Sequence, residues 1–108
     1  MKIEVKESPI HGLGCFATEN ILEGKIIHRE YCRKIPYRLR NEMEYLDDKG
    51  TYIDLRDSRF IRYLNHSHDS NAEWYYDEID ELVILIAEKD ISKGDEITFN
   101  YRLTGTFS

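Results

Sequence analysis

Arg62-Tyr63-Leu64-Asn65-His66-Ser67-His68-Asp69-Ser70-Asn71 is the stretch on which the reading of the fold turns. Its Asn, His and Ser side chains follow an amphipathic turn, which suits a polar constellation or a capped loop. Alternate residues of a strand share a face, so His66 and His68 with Asp69 also offer a metal-ligand reading. His11 and His28 show no ligand spacing with that pair. Immediately upstream, Ser58 is placed to N-cap one or two helical turns running to Leu64. Thr51-Tyr52-Ile53-Asp54-Leu55 reads as extended. Pro36 to Leu46 predicts a short helix, with Pro in its first turn and Leu39, Met43 and Leu46 on one face. Downstream, Ala72-Glu73-Trp74-Tyr75-Tyr76 and Leu82 to Ala87 flank the acidic loop Asp77–Glu81, the pattern of a hairpin.

Farther out, Ile3 and Val5 alternate with charges as a half-buried strand does, and Ser8-Pro9 ends that run. Gly12-Leu13-Gly14-Cys15-Phe16-Ala17 superficially matches a dinucleotide-binding GxGxxA. A short β-like stretch and a glycine turn follow it, where that motif needs a long helix. What survives is two glycines that let backbone approach a ligand closely. Lys25-Ile26-Ile27-His28 restarts a strand, and Glu96 to Tyr101 forms the last one, after the turn Ser92-Lys93-Gly94-Asp95. A period of two sets Phe99 and Tyr101 on one face of it, and Thr98 and Asn100 on the other. There is an internal echo: Ala17 to Ile27 aligns with Ala87 to Ile97, sharing Ala, Ile, Gly and the final Ile. Coincident turns and true pseudo-symmetry both account for it. Many short strands and one helix predict a mainly-β architecture of small sheets.

The 108 residues suit one domain spanning 1–108, with 41% apolar residues sufficient for a single core. Fifteen Lys+Arg against 21 Asp+Glu give a net charge of −6. That balance argues against direct nucleic-acid binding, which needs a cationic surplus. The longest apolar run, Leu82 to Ala87, has six residues, far below the roughly 20 of a membrane span, and no signal-peptide pattern opens the chain. Two cysteines, Cys15 and Cys32, fit a reducing compartment and cannot build a four-cysteine zinc site.

Taken in order, the GxG with Phe and Ala behind it, Asn-His-Ser-x-x-x-Asn and Gly-Asp-Glu-Ile-Thr-Phe-Asn-Tyr resemble the SET-domain protein lysine methyltransferases. The likeness runs from Ser8 to Tyr101. Glu30-Tyr31 and Arg62-Tyr63-Leu64 stand where that family has Glu-Tyr and Arg-Phe-Ile. The resemblance implies a mainly-β SET fold of several small sheets with one short helical insert and a C-terminal pseudoknot. It implies S-adenosyl-L-methionine as the cofactor, held by Gly12, Leu13, Gly14, Tyr63, Asn65 and His66. It implies a lysine channel lined by Tyr31, Phe99 and Tyr101, with Tyr101 the catalytic residue that orients the methyl, and no metal. Phe99 lacks the hydroxyl that would hold a water where a further methyl must go, which implies di- or trimethylation.

The chain departs from the family pattern at His68 and Ser70, where Cys and Pro are usual, and at Asn100, where Asp is usual. No cysteine cluster flanks the domain. Arg102 to Ser108, with Phe107, or a second subunit in a homodimer, must therefore close the channel. So minimal a form is similar to stand-alone viral or prokaryotic members. The implied substrate is a lysine-containing protein or peptide such as a basic histone-like tail, met in the cytoplasm or nucleus (the host nucleus for a viral protein). Two other readings stand beside this one. A catalytically inactive SET-like module would bind a peptide without transferring methyl, and a small metal-dependent hydrolase would use His66, His68 and Asp69.

Overall fold

The computed structural model describes residues 2–35, 44–46, 52–55 and 58–100. Three small sheets make up the described structure. In the first, β1 (Ile3–Glu7) pairs antiparallel with β2 (Leu13–Ala17). The second is built on β3 (Ile26–Tyr31), and the two-residue β4 (Lys34–Ile35) opens the third. β5 (Glu44–Leu46) and β4 both pair antiparallel with β6 (Tyr52–Asp54). A single 3-10 turn, Ile61–Tyr63, leads to β7 (Asn65–His66). The hairpin β8 (Ala72–Asp77) and β9 (Leu82–Ala87) joins β3 in the order β3-β9-β8. Last comes β10 (Glu96–Phe99), which completes the first sheet in the order β1-β2-β10-β7.

Strand content and the hairpin follow the alternation in the sequence. β9 buries Val83, Leu85 and Ala87 while Leu82, Ile84 and Ile86 stay half-covered, the period of two expected of a sheet with one face on the core. The core gathers residues from all three sheets, including Cys15, Ile27, Ile53, Trp74, Leu85, Ile91 and Ile97. Each buried Ile or Leu contributes about 1.5–3 kcal/mol. One expectation needs correction. Glu44–Leu46, read as the end of a helix, pairs with β6 as a strand. The spacing of Leu39, Met43 and Leu46 fits a helix, but β6 pairs with the backbone of Glu44–Leu46, and that tertiary pairing overrides the local preference. The rest of that segment, Pro36 to Met43, lies outside the described residues, as does everything from Tyr101 onward, including the end of the expected pseudoknot.

The internal echo is a real pseudo-twofold. Ile21 and Ile91 exchange both backbone hydrogen bonds at 2.8 Å. Gly24 N donates to Ala87 O and Gly94 N to Ala17 O, both at 2.8 Å. Glu23 N donates to Asp90 Oδ1 and Lys93 N to Asn20 Oδ1, again both at 2.8 Å. Strand register obeys the same relation, since Ile26 opposes Ile86 and Glu96 opposes Phe16. Gly24 (φ 85°) and Gly94 (φ 92°) occupy equivalent left-handed positions that a side chain would strain. The symmetric pair of turns brings β3 beside β9 and β2 beside β10, and so sets β10 between the glycine segment and Asn65–His66.

Candidate active site

β10 runs parallel to β7, with Thr98 opposite Asn65 and Phe99 opposite His66. Ser67 N extends the pairing by donating to Phe99 O at 3.0 Å. Asn71 closes the loop against the same strand. Its Nδ2 donates to Glu96 O at 2.8 Å and its Oδ1 accepts from Thr98 N at 3.0 Å, so one side chain substitutes for a ladder step. The last Asn of Asn-His-Ser-x-x-x-Asn therefore serves to hold β10.

Asn65 faces the other way, toward the glycines. Its Nδ2 lies 2.8 Å from Glu96 Oε2, 3.2 Å from Ser8 Oγ, 3.2 Å from Leu13 O and 3.3 Å from His11 O. Ser8 Oγ donates to the Glu96 carboxylate, at 2.7 Å from Oε1 and 2.9 Å from Oε2, and accepts from Ile10 N at 3.0 Å. Gly14 packs onto this group so closely that a Cβ would collide with Glu96 Oε2 and lie 2.9 Å from Asn65 Nδ2. The glycine is demanded by the protein's own side chains. Gly12, with φ 47°, has open space where a Cβ would go. Around it the segment presents open backbone and two exposed apolar side chains, Ile10 at 52% and Leu13 at 45%. Exposed backbone edged by apolar side chains, beside a half-buried polar cluster, makes this segment a candidate ligand seat with both apolar and polar contacts to offer.

Tyr63 lies at the end of the 3-10 turn, two residues before Asn65. Arg62 stacks on its ring at 4.6 Å and donates from Nη2 to its hydroxyl at 2.6 Å. With Ile3, Val5, Arg59 and Phe60 it lines an open groove of about 610 Å³ beside β1. Tyr31, 64% exposed at the end of β3, lines a smaller pocket of about 230 Å³ with Cys32, Arg33, Asp54 and Ser58. Ser58 borders both cavities. Phe99 is only 5% exposed, with its ring 6.4 Å from that of Trp74. Tyr101 lies outside the described residues.

Glu30, the residue before Tyr31, joins these parts. Its carboxylate accepts from Arg59 N at 2.7 Å, Phe60 N at 3.2 Å and Ile61 N at 3.1 Å. Thus the 3-10 turn that delivers Tyr63, Asn65 and His66 is capped by a side chain from β3. The expected cap, Ser58, accepts from Arg62 N at 2.9 Å. Burial on its own would raise the Glu30 pKa. The nearby His28 and the Ile61, Arg59 and Phe60 amides outweigh it and lower the value to about 2. His28 Nε2 stands 3.5 Å from the Glu30 carboxylate, at the outer limit of hydrogen-bond distance.

Both thiols are spectators. Burial pushes Cys15 and Cys32 up to about 12, and Cys15 Sγ donates to Phe60 O at 3.2 Å. The metal-hydrolase reading finds no geometry. Asp69 pairs with Lys89 at 2.9 Å while His66 and His68 pack edge to face at 4.9 Å. Among the described residues no three His, Cys, Asp or Glu side chains converge on a point. Nor does any described helix have the length and apolarity to cross a membrane.

The sequence motifs supply the glycines, Asn65, His66 and Tyr63, and the structure joins Asn65 to Leu13 and Gly14. Ser8, Glu30 and Glu96 escaped that reading. Glu96 shares a strand face with Thr98 by the period of two, and that was the available signal. Glu30 stands out only as half of Glu30-Tyr31, with no role attached, and Ser8 gives no signal.

Comparison with known proteins agrees. The sequence matches the SET domain over residues 12–102. It is 32% identical over 69 residues to the zebrafish (Danio rerio) histone-lysine N-methyltransferase SUV39H1-A, covering 58% of this chain and 17% of that protein. It is 28% identical over 120 residues to the H3 lysine-36 specific histone-lysine N-methyltransferase of Candida albicans, covering 94% of this chain and 14% of that one. The chain thus spans less than a fifth of the length of either relative. A crystal structure of a Plasmodium falciparum protein described as a candidate histone methyltransferase superposes with a TM-score of 0.75 at 28% identity, covering 93% of this chain and 92% of that one. With its three small sheets, its glycine segment joined to Asn65 and its match over residues 12–102, this chain belongs to the SET-domain family.

Proposed function

We propose that this chain is an S-adenosyl-L-methionine-dependent protein-lysine N-methyltransferase acting inside the cell on a basic, histone-like tail. The observation that carries the reading is the Asn65 amide. It reaches Leu13 O and the Glu96 carboxylate together, and so assembles the glycine segment and β10 into one site. Gly12, Leu13, Gly14, Asn65 and His66 would hold the cofactor, with Tyr63 beside them. When bound, that cofactor supplies an electrophilic methyl on a sulfonium.

The chain's own residues then have two tasks. The first is to make the lysine amine nucleophilic. Near pKa ~10.4 in water it is protonated at neutral pH, and a dry aromatic wall disfavours the ammonium form. Tyr31, Phe99 and Tyr101 are assigned to that wall. The second is alignment, for which positioning alone supplies several kcal/mol. Tyr101 is assigned the orienting hydroxyl. The test is incubation with labelled S-adenosyl-L-methionine and a histone mixture, followed by mass spectrometry of the labelled product. Label is expected on lysine, and Tyr101→Phe should retain cofactor binding while losing most transfer. Absence of label, or near-normal turnover by Tyr101→Phe, would overturn the assignment.

A further inference from the structure

We infer that Glu96 is a positioning residue that sets the cofactor loop by fixing which way the Asn65 amide points. The inference rests on the reading of residues 12–14 and 65–66 as the cofactor seat.

An amide NH2 has two hydrogens, yet Asn65 Nδ2 has four acceptors within 3.3 Å. Glu96 Oε2, at 2.8 Å, is the shortest and takes one of them. A carboxylate only accepts, so it admits the NH2 of Asn65 and repels its carbonyl oxygen. That choice leaves the second N–H to Ser8 Oγ and the carbonyls of His11 and Leu13. Ser8 Oγ in turn donates to Glu96, which fixes the carboxylate from the other side. Were the Asn65 amide reversed, its oxygen would face two carbonyls, and the loop from His11 to Gly14 would lose its anchor. Gly14 records how close this arrangement is. The space its missing Cβ would fill belongs to Glu96, Asn65 and Ser8, so backbone and clamp cannot separate by a side chain's width. The carbonyls of His11 and Leu13 are thus held inward, toward Asn65.

Glu96→Gln tests this because Gln presents a donor as well as an acceptor and no longer selects one amide orientation. Hydrogen exchange of the amides from His11 to Gly14 in the free protein should quicken about tenfold or more, the scale of a lost charge-assisted hydrogen bond. Cofactor affinity by calorimetry should fall by a similar factor, with exchange elsewhere unchanged. Ser8→Ala, a smaller change, should give the same pattern more weakly. The pair Glu96→Gln/Asn65→Asp keeps a hydrogen bond between the two side chains but leaves no donor for the His11 and Leu13 carbonyls, and should restore neither readout. Unchanged loop exchange in Glu96→Gln, exchange that rises throughout the protein, or restoration by the double variant would each overturn the inference. A wild-type protein that binds no S-adenosyl-L-methionine would overturn the functional reading instead. Loop exchange would still judge the clamp.

Discussion

Glu30 shows how one carboxylate ties the two halves of a site together. It lies at the end of β3, next to Tyr31, yet it holds the Arg59, Phe60 and Ile61 amides at the start of the turn that carries Tyr63 and Asn65. A half-buried acceptor serving three donors is costly to remove, and replacing it by an amide both drops the charge and turns a donor toward other donors. Glu30→Gln is expected to cost about 1–3 kcal/mol of stability in denaturant melts at neutral pH. The pH dependence follows from its depressed folded-state pKa. The unfolded carboxyl titrates near its usual 4.5 and the folded one near 2, so the stabilisation is complete above about 4.5 and is lost as pH falls toward 2. Wild type should therefore lose stability across that interval more steeply than Glu30→Gln, measured by thermal melts at successive pH values. Parallel curves for the two proteins would show that Glu30 does not carry the linkage.

Among the elements, the pair of turns related by the pseudo-twofold makes the clearest case of what a sequence discloses. Four shared letters in eleven positions were visible, but coincidence was an equal reading until the hydrogen bonds were seen to be exchanged between the two copies. Each turn is capped by the other: Asp90 serves Glu23 N, and Asn20 serves Lys93 N. Asn20→Ala and Asp90→Ala should each cost about 1 kcal/mol, the scale of a lost cap. Because both flank the single Ile21–Ile91 bridge, the double variant should depart from additivity by about 0.5 kcal/mol or more. Additive losses in a double-mutant cycle would mean that the turns are independent. The strands themselves were legible because alternation is a local signal. Glu44–Leu46 departs from the helix expected over Pro36 to Leu46 because three apolar positions, Leu39, Met43 and Leu46, do not fix a period, and the partner strand β6 that decides it lies six residues farther on. The clamp of Ser8, Asn65 and Glu96 was illegible for the same reason at longer range: Ser8 and Glu96 stand 88 positions apart, and no periodicity spans that interval.

At the scale of the whole molecule, the proposed basic substrate would meet a net negative charge. The net charge is −6, and the β8–β9 hairpin concentrates Glu73, Asp77, Glu78, Asp80 and Glu81 on one projection. Four of these are partly committed: Asp77 Oδ1 accepts from Ile79 N and Asp80 N, Glu73 accepts from the Tyr75 hydroxyl, and two more lie against Lys34. Glu78 stands 4.0 Å from Lys34, and Glu81 Oε2 accepts from Lys34 N at 3.1 Å. The remaining acidic surface is long-range field rather than contact. Such a field raises the encounter rate of a basic peptide and is screened as the Debye length falls from about 30 Å at 10 mM salt to about 10 Å at 100 mM. On the proposed function, the step after a lysine is seated would depend on alignment and on the dryness of the assigned aromatic wall, neither of which salt alters appreciably. Raising ionic strength over that range should therefore increase KM for a Lys/Arg-rich peptide several-fold and leave kcat nearly constant. A peptide of the same length with its flanking cations replaced by neutral residues should lose that salt dependence. If the neutral peptide shows the same response, or if kcat falls with KM fixed, salt is acting on the protein's structure and the acidic surface has no part in substrate capture.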